Sequence, residues 1–394
     1  MKTENSKNII IVGGGPAGMM AAIELSKTHK VSLFEKGKTL GRKFLVAGKG
    51  GFNLSNSLID KELSSKYTPN YLFTNILKSF DSKATVTWLE ELGIPTYVGS
   101  SGRIFPEKGI KPIEVLNALK QRMIKQNVSI YLEHEMIDFN KSSITFNNKT
   151  SKFSKEFDTC IFALGGASWS ITGSDGLWTH LMQKNNIKTS TFEPSNCGII
   201  VNYNNKPIAQ HIGTPLKNIR ITFQDKIVKG EAVISTYGLE GNAIYPLANA
   251  IGTLLKKGQT TISIDLKPFN TEKELISKLT STTQPKNYGY VYNLNKAQIA
   301  LIKSFTDKET YINPIRFVKA LKRLAIPIEG LRPIEEAIST TGGVPLEELN
   351  ADLSLKKIPN IFIAGEMFDW DTITGGFLLQ GCFATGYFVA KHIN

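Results

Sequence analysis

A hexapeptide near the N-terminus, Gly13-Gly14-Gly15-Pro16-Ala17-Gly18, constrains this chain more than any other segment. It fits G-x-G-x-x-G and stands between a buried apolar run at 9–12 and a helical stretch at 16–28. In a strand–turn–helix unit each glycine meets a different demand. Gly13 permits the tight turn, Gly15 lets backbone approach a pyrophosphate, and Gly18 lets the helix pack closely on the strand. The helix N-terminus then offers free N–H groups and the positive end of its dipole to phosphate. A second strand, 31–35, ends on Glu35, about 20 residues after the turn, where an acceptor for ribose hydroxyls belongs. The pattern predicts an α/β fold with a Rossmann-type dinucleotide-binding domain.

The rest of the chain shows what interrupts that domain. Segments 85–93 and 112–126 read as helices, and 158–164 as an apolar run closing on Gly165-Gly166. After Pro194 the texture changes to short β-like runs at 198–201, 219–223, 229–235 and 260–264, broken by Gly, Asn and Asp. Residues 272–325 are Lys-rich with a helical period, 361–364 returns as a buried strand, and a helix follows Gly375-Gly376. The simplest organisation is a doubly wound domain from both chain ends, 1–190 and 346–394. A β-rich insertion at 191–270, a helical one at 271–326 and a return through the β-rich part at 327–345 lie between them.

Composition narrows the classes. A length of 394 residues with 41% hydrophobic and 21% charged residues suits two to three soluble domains. No stretch approaches the length of a membrane span, and the run at 9–12 is too short for a signal-peptide core. The three cysteines, Cys160, Cys197 and Cys382, lie far apart, and none of the five histidines has a partner at ligand spacing. A reducing, cytoplasmic location and no metal are expected; His29 and His392 read as surface residues. No G-x-S-x-G, H-E-x-x-H or P-loop is present, which excludes the hydrolase and NTPase readings those motifs carry. The net charge of +13 favours an anionic partner (nucleotide, nucleic acid or acidic membrane surface), set against the bland reading of a lysine-rich solvated surface.

One fingerprint implies one tightly held dinucleotide, and the C-terminus indicates FAD. Ala364-Gly365-Glu366 closes a strand, and Thr374-Gly375-Gly376 opens the last helix. An acid at such a strand end belongs near the ribitol and pyrophosphate, and the following helix N-terminus near the pyrimidine edge of a flavin, where negative charge develops on reduction. The cofactor set read from the residues is Gly13, Gly15, Pro16, Ala17, Gly18, Glu35, Lys36, Ala163, Gly165, Gly166, Gly365, Glu366, Thr374, Gly375, Gly376 and Phe377.

Several segments resemble the BaiN-like (YhiN-type) flavoproteins: GGGPAG at 13–18, GRKFLVAGKGGFNLSN at 41–56, GRIFP at 102–106, ALGGASW at 163–169, TGSDG at 172–176, STTGGV at 339–344 and GEMFDWDTITGGFLLQGCFATG at 365–386. The resemblance spans essentially the whole chain. It implies an FAD-binding Rossmann-type domain interrupted by β-barrel-like and helical domains, and it adds Gly41, Arg42, Lys43 and Asn53 to the flavin contacts. Arg42 and Lys43 can neutralise phosphate, and Gly48, Gly50 and Gly51 let backbone lie against a flavin face. The chain departs from the family where many members read Gly-Gly-Gly-Arg-Cys-Asn: here Gly51-Phe52 replaces Arg-Cys, so that thiol is absent as a proton donor. The family's Ser-Gly-Pro likewise becomes Glu240-Gly241-Asn242.

Catalytic candidates outside the cofactor set are few. Tyr237 in Ser235-Thr236-Tyr237-Gly238 is a possible proton donor, set against a packed tyrosine; Arg103, in a loop, is a possible anion-binding group, set against a solvated arginine. Cys197 is a possible acid near the flavin, set against the preferred reading as a small packing residue, and Cys382 reads as core packing. Arg316, Lys319 and Arg323, with Lys322 beside them, form a basic helix face opposite Phe317, Leu321 and Leu324. The resemblance implies reduction of a carbonyl-conjugated C=C by hydride from flavin N5, with an enone as substrate or, alternatively, a uridine in structured ribosomal RNA giving dihydrouridine. NAD(P)H or another electron donor would act transiently. The rival expectations are a flavin-binding regulatory or structural protein without turnover, and an oxidase using O₂.

Overall fold

The computed structural model describes residues 6–46, 51–280 and 283–393. It divides into two compact units, 1–193 with 339–394, and 194–338. In the first unit β1 (Asn8–Val12) is the centre of a five-stranded parallel sheet with β2 (Lys30–Glu35), β3 (Ser129–Leu132), β4 (Thr159–Phe162) and β5 (Ile361–Ile363), in the order β5-β4-β1-β2-β3. Every pairing is parallel. Such a sheet is covered on both faces, which explains why β1 and β4 are runs of buried residues and not alternations. Chain order 1-2-3 on one side and 4-5 on the other places a reversal beside β1, where ligands bind in open α/β sheets.

Two helices frame that reversal. α1 (Pro16–Leu25) follows β1, and α3 (Phe377–Ile393) packs along it, while α2 (Pro112–Lys125) also packs against α1. α1 stops at Leu25, three residues short of the predicted 28. The N–H of Ser26 bonds the Ala22 carbonyl, and those of Thr28 and His29 turn back to Leu25 before β2 begins pairing. Lys27 and Thr28 are exposed, so no apolar face is left to continue the helix. His29, read as surface, is half-buried and accepts from the Lys7 N–H.

The second unit holds a seven-stranded antiparallel sheet whose order is Leu324–Ile328, Thr260–Asp265, Pro215–Phe223, Lys226–Ile234, Gly238–Glu240, Ile199–Ile200, Gly330–Leu331. Its two edge strands are separated only by Glu329, so the sheet curls back on itself, as a barrel does. Helices Lys296–Phe305 and Pro314–Lys322 share one core with it, Leu301, Phe317 and Leu321 packing with Ile221, Ile262 and Ile326. The helical stretch ends at Lys322 and not at 325. Leu324 belongs to a strand, because Leu324, Ile326 and Ile328 are buried at alternate positions, a period of two. Among the described residues, no helix is long and apolar enough to cross a membrane.

Candidate functional site

The fingerprint glycines divide by what surrounds them. Gly13 donates its N–H to the Phe34 carbonyl at 2.8 Å and has φ +110°, and a Cβ there would lie 2.2 Å from the Ala163 oxygen. A Cβ on Gly18 would lie 2.0 Å from the Gly13 oxygen. The protein's own packing therefore demands both. Gly15 differs: it is extended, caps α1 without a side chain, and a Cβ would meet nothing within 4 Å. The space it leaves belongs to a cavity of about 390 Å³ whose walls include Gly13, Pro16, Ala17, Glu35, Lys36, Gly41, Arg42, Lys43, Ala163, Gly165, Gly365 and Glu366.

The walls carry an ordered set of charges. Glu35, at the end of β2, accepts the Gly14 N–H at 2.8 Å and the Gly37 N–H at 2.7 Å, which fixes its carboxylate at the turn. Lys36 pairs with Asp175 at 2.7 Å, and the Arg42 guanidinium donates to the Ile171 carbonyl at 2.8 Å. Lys43 pairs with Glu366 at 2.9 Å and donates to Ser168 Oγ at 2.7 Å, while Glu366 also accepts the Thr340 N–H at 3.0 Å. The two residues expected to meet a ligand thus already hold each other. Gly165 is left-handed at φ +76°, and Gly166 is closely faced by Thr340 and Glu366. Ser174 is buried on the wall, and its Oγ has no hydrogen-bond partner among the described residues. Cys382 packs against the core as expected, and it also reaches the cavity. It is half-buried, and burial, with Glu366 nearby, pushes its thiol up to about 12.

A second neighbourhood of the same unit gathers around Gly375 and Gly376, both with positive φ. A Cβ on Gly376 would lie 2.0 Å from the Ser55 oxygen. The Asn53 amide, oriented so that each end meets a complementary group, accepts the Gly376 N–H at 2.9 Å, and Asn56 Nδ2 donates to the Gly375 carbonyl at 3.1 Å. Arg103 opens the strand Arg103–Pro106 and does not lie in a loop; it pairs opposite Asn56, and its guanidinium adjoins Gly375. Thr374 is half-buried, and Phe377, the first residue of α3, is buried, its carbonyl accepting the Tyr67 hydroxyl at 2.7 Å. Gly48 and Gly50 lie outside the described residues.

Tyr237 belongs to the second unit. Its hydroxyl donates to Glu240, and the Arg332 guanidinium lies 4.1 Å from its ring centre, held in turn by Glu336 at 2.8 Å. Burial, then the Glu240 hydrogen bond, raises the phenol above its ordinary value, so it stays protonated through the neutral range. Cys197 is buried, and its thiol is pushed up to about 11 by that burial. The basic helix face has Arg316, Lys319 and Arg323 exposed opposite the buried Phe317, Leu321 and Leu324, as expected, but Lys322 departs from it. Lys322 is turned inward, pairing with Asp265 at 2.7 Å and donating to the Lys267 and Asn270 carbonyls, and Arg316 is tied to Glu309. Lys322 follows Leu321 at the helix end, where the chain turns into the sheet, so its stem runs along the core.

Sequence reasoning missed Ser174, Thr340 and Gly386. A Cβ on Gly386 would lie 2.3 Å from the Ala17 oxygen, so this glycine lets α3 reach α1 beside the fingerprint. The available signal was two glycines, Gly381 and Gly386, inside an otherwise apolar helix. Ser174 and Thr340 fall within the resembling segments TGSDG and STTGGV, with no role attached to either. Among the described residues, no group of three or more His, Cys, Asp or Glu side chains is placed to hold a metal.

Residues 7–392 match the family described as HI0933-like protein Rossmann domain. The chain is 24% identical to the 3-dehydro-bile acid delta(4,6)-reductase of Clostridium scindens, with 97% of each chain covered. It is 22% identical to the ribosomal RNA dihydrouridine synthase of Escherichia coli, covering 98% of this chain and 97% of that one. Among solved structures, the 3-ketosteroid delta1-dehydrogenase of Sterolibacterium denitrificans shares the fold at 11% identity, with a TM-score of 0.53 and 99% of each chain covered. The resemblance read from the sequence is borne out.

Proposed function

The chain belongs to the HI0933-like Rossmann family, and on that premise we propose that it is an FAD-dependent oxidoreductase reducing a carbon–carbon double bond conjugated to a carbonyl. One observation carries the cofactor reading. The only fingerprint glycine that its own protein does not crowd, Gly15, stands at the uncapped N-terminus of α1 and opens on the cavity. A dinucleotide pyrophosphate fits that place, since it needs backbone N–H groups and no side chain in front of them. The buried, unpartnered Ser174 hydroxyl on the same wall is a donor awaiting an acceptor.

In this reading Gly13, Gly15, Pro16, Ala17 and Gly18 hold the pyrophosphate, Glu35 and Lys36 the adenosine ribose, and Gly41, Arg42, Ala163, Gly165 and Gly166 the walls between. Gly365 and Glu366, with Lys43 as counter-ion, face the ribitol, and Asn53, Thr374, Gly375, Gly376 and Phe377 form the ring end. When bound, FAD supplies a hydride to the carbon β to the carbonyl. A protein acid must deliver a proton to the α carbon. Tyr237 is the candidate for that role, because its hydroxyl keeps its proton at neutral pH; delivery would require that proton to leave its hydrogen bond to Glu240. Arg103 meets the substrate's carbonyl or anionic group. The name of the Clostridium scindens relative, a 3-dehydro-bile acid delta(4,6)-reductase, supports this substrate chemistry.

A second reading, a uridine in ribosomal RNA, is favoured by the Escherichia coli relative and by the net charge of +13. Uracil's C5=C6 bond is conjugated to C4=O, so the same hydride and proton suffice. The experiment is to purify the protein, identify any released flavin, reduce it anaerobically with NADH or NADPH, and follow reoxidation by cyclohexenone, a 4-en-3-one steroid and ribosomal RNA. Reoxidation by an enone supports the first reading and reoxidation by RNA the second; rapid reoxidation by O₂ alone, or a chain without flavin, sinks both.

A further inference from the structure

Beyond the cavity of the first unit, the second unit carries a polar groove of about 420 Å³. It is built from three segments. One is the β-bulge between Leu216 and Ile219, where Asn218 adopts φ +54° and leaves Lys217 exposed. Another is the turn at 267–270, closed by the Asn270 N–H on the Lys267 carbonyl at 3.1 Å, with Pro268 and Phe269 at its tip. The last is the loop before helix Lys296–Phe305, which presents Asn293 and Asn295.

Three properties define what fits there. The lining includes Lys217 and Lys267 and no carboxylate. Asp265, two residues before Lys267, is buried and held by Arg220 at 2.6 Å and Lys322 at 2.7 Å, so its charge is spent inward, whereas Glu274 is exposed and bonds the Asn270 side chain at the groove's edge. Phe269 is 78% exposed, a large apolar ring projecting from a charged rim with nothing covering it. The turn that carries it is nonetheless firmly held: Lys322 donates to the carbonyls of Lys267 and Asn270 at 2.8 and 2.6 Å, and Lys267 Nζ donates to the Asn293 carbonyl at 2.7 Å. A rigid, exposed ring is a poor feature for solubility and a good platform for stacking. Around it stand the amides of Asn218 and Asn293, whose paired donor and acceptor match the edges of bases, while Asn295 Oδ1 is taken by the Gln298 N–H at 2.8 Å and the Asn270 side chain bonds Glu274. Cations for phosphate, a ring for base faces and amides for base edges are the ingredients of a single-strand nucleic-acid site.

We infer that this groove docks a single-stranded stretch of RNA, with Phe269 stacking on a base and Lys217 and Lys267 meeting phosphates. The inference rests on the uridine reading for its biological meaning, but it concerns binding alone and can be tested without turnover. The groove is separate from the basic helix face: Lys322 supports its turn from beneath, while Arg316, Lys319 and Arg323 stay exposed on the helix.

The test is fluorescence anisotropy of the flavin-loaded, full-length protein with a labelled oligouridylate of roughly ten nucleotides. Binding should weaken as salt rises. Phe269→Ala should weaken it about 10-fold, and Lys217→Gln should lower the log–log salt slope by about 1. Both positions are exposed, so the variants should melt like the parent. The triple variant Arg316→Gln, Lys319→Gln, Arg323→Gln serves as the comparison and should bind within about 2-fold of the parent, far less than the loss expected from removing a stacked ring. The proposal is overturned by no binding at low salt, by unchanged affinity in Phe269→Ala, by a larger loss in the helix triple variant, or by stronger binding to phosphatidylserine vesicles or polyglutamate than to the oligonucleotide. Failure of the flavin to be reoxidised by RNA, with these binding results intact, would remove the uridine reading and leave the groove.

Discussion

Around the fingerprint turn, the first unit aims backbone and polar groups at empty space: Gly15 has no neighbour, α1 has no capping side chain, and Ser174 has no partner among the described residues. In the sheet of the second unit, charges meet one another. Asp265 takes both Arg220 and Lys322, Arg332 takes Glu336 while lying over Tyr237, and the Tyr237 hydroxyl donates to Glu240. Unmet polar groups on a wall mark a place built for a ligand, because burying them without one costs free energy. The paired charges of the second unit's sheet are structural supports, whereas on the cavity wall of the first unit Lys36–Asp175 and Lys43–Glu366 stand at the proposed ligand site. Lys322 illustrates the point, since it stands beside a basic helix face in the sequence and its contacts show a support.

Four measurements would break or sharpen that contrast. The largest effect is expected at the fingerprint. Gly15→Val should leave a folded protein that purifies without FAD, whereas Gly18→Val, whose Cβ would press on backbone, should lose about 1–3 kcal/mol of stability as well. Equal melting temperatures for both apoproteins would show that the two glycines do not differ. Next comes Asp265→Ala in the second unit. It strands two cations, one of them nearly buried, and should cost about 3–5 kcal/mol in chemical denaturation; a loss under about 1 kcal/mol would mean the cluster is not a structural support.

Tyr237→Phe asks whether one of the mutually satisfied groups also acts. If the tyrosine delivers the proton, reduction of the flavin by its donor is unchanged and reoxidation by substrate slows about 100-fold. Because burial and Glu240 raise the phenol, parent reoxidation should stay flat with pH through neutrality and fall only above the ordinary tyrosine range. An equal rate in Tyr237→Phe would return the residue to a packing role. The smallest effect is expected for Lys36→Ala. Its pair with Asp175 is partly exposed on both sides, so stability should change by less than about 1 kcal/mol, while any weakening of FAD binding would place Lys36 at the ligand.

Much of the first unit was legible in the residues. Gly13, Gly18 and the apolar runs of β1 and β4 act through neighbours close in sequence or through a backbone shape only glycine permits, and such demands are written locally. Element ends were less so. α1 stops at Leu25 because the chain must turn to pair with β1, and Leu324 is a strand residue because the closing sheet needs an edge beside Thr260–Asp265. At the candidate site, the fingerprint and the Gly375-Gly376 turn could be named in advance, but the Lys43–Glu366 pair and the place of Cys382 on the wall could not.

By itself, then, the amino-acid order determined a strand–glycine turn–helix at the N-terminus, a return of the C-terminus to the same sheet, and a family. Only the tertiary structure decided which charges are spent. Asp265 lies in a strand and Lys322 at a helix end, and nothing in the spacing of either records that they meet at 2.7 Å while Lys217 stays exposed in a bulge. The reason is physical: periodicity reports which face of an element is apolar, whereas a charge finds its partner through the packing of whole elements, whose geometry is set by the core beneath them.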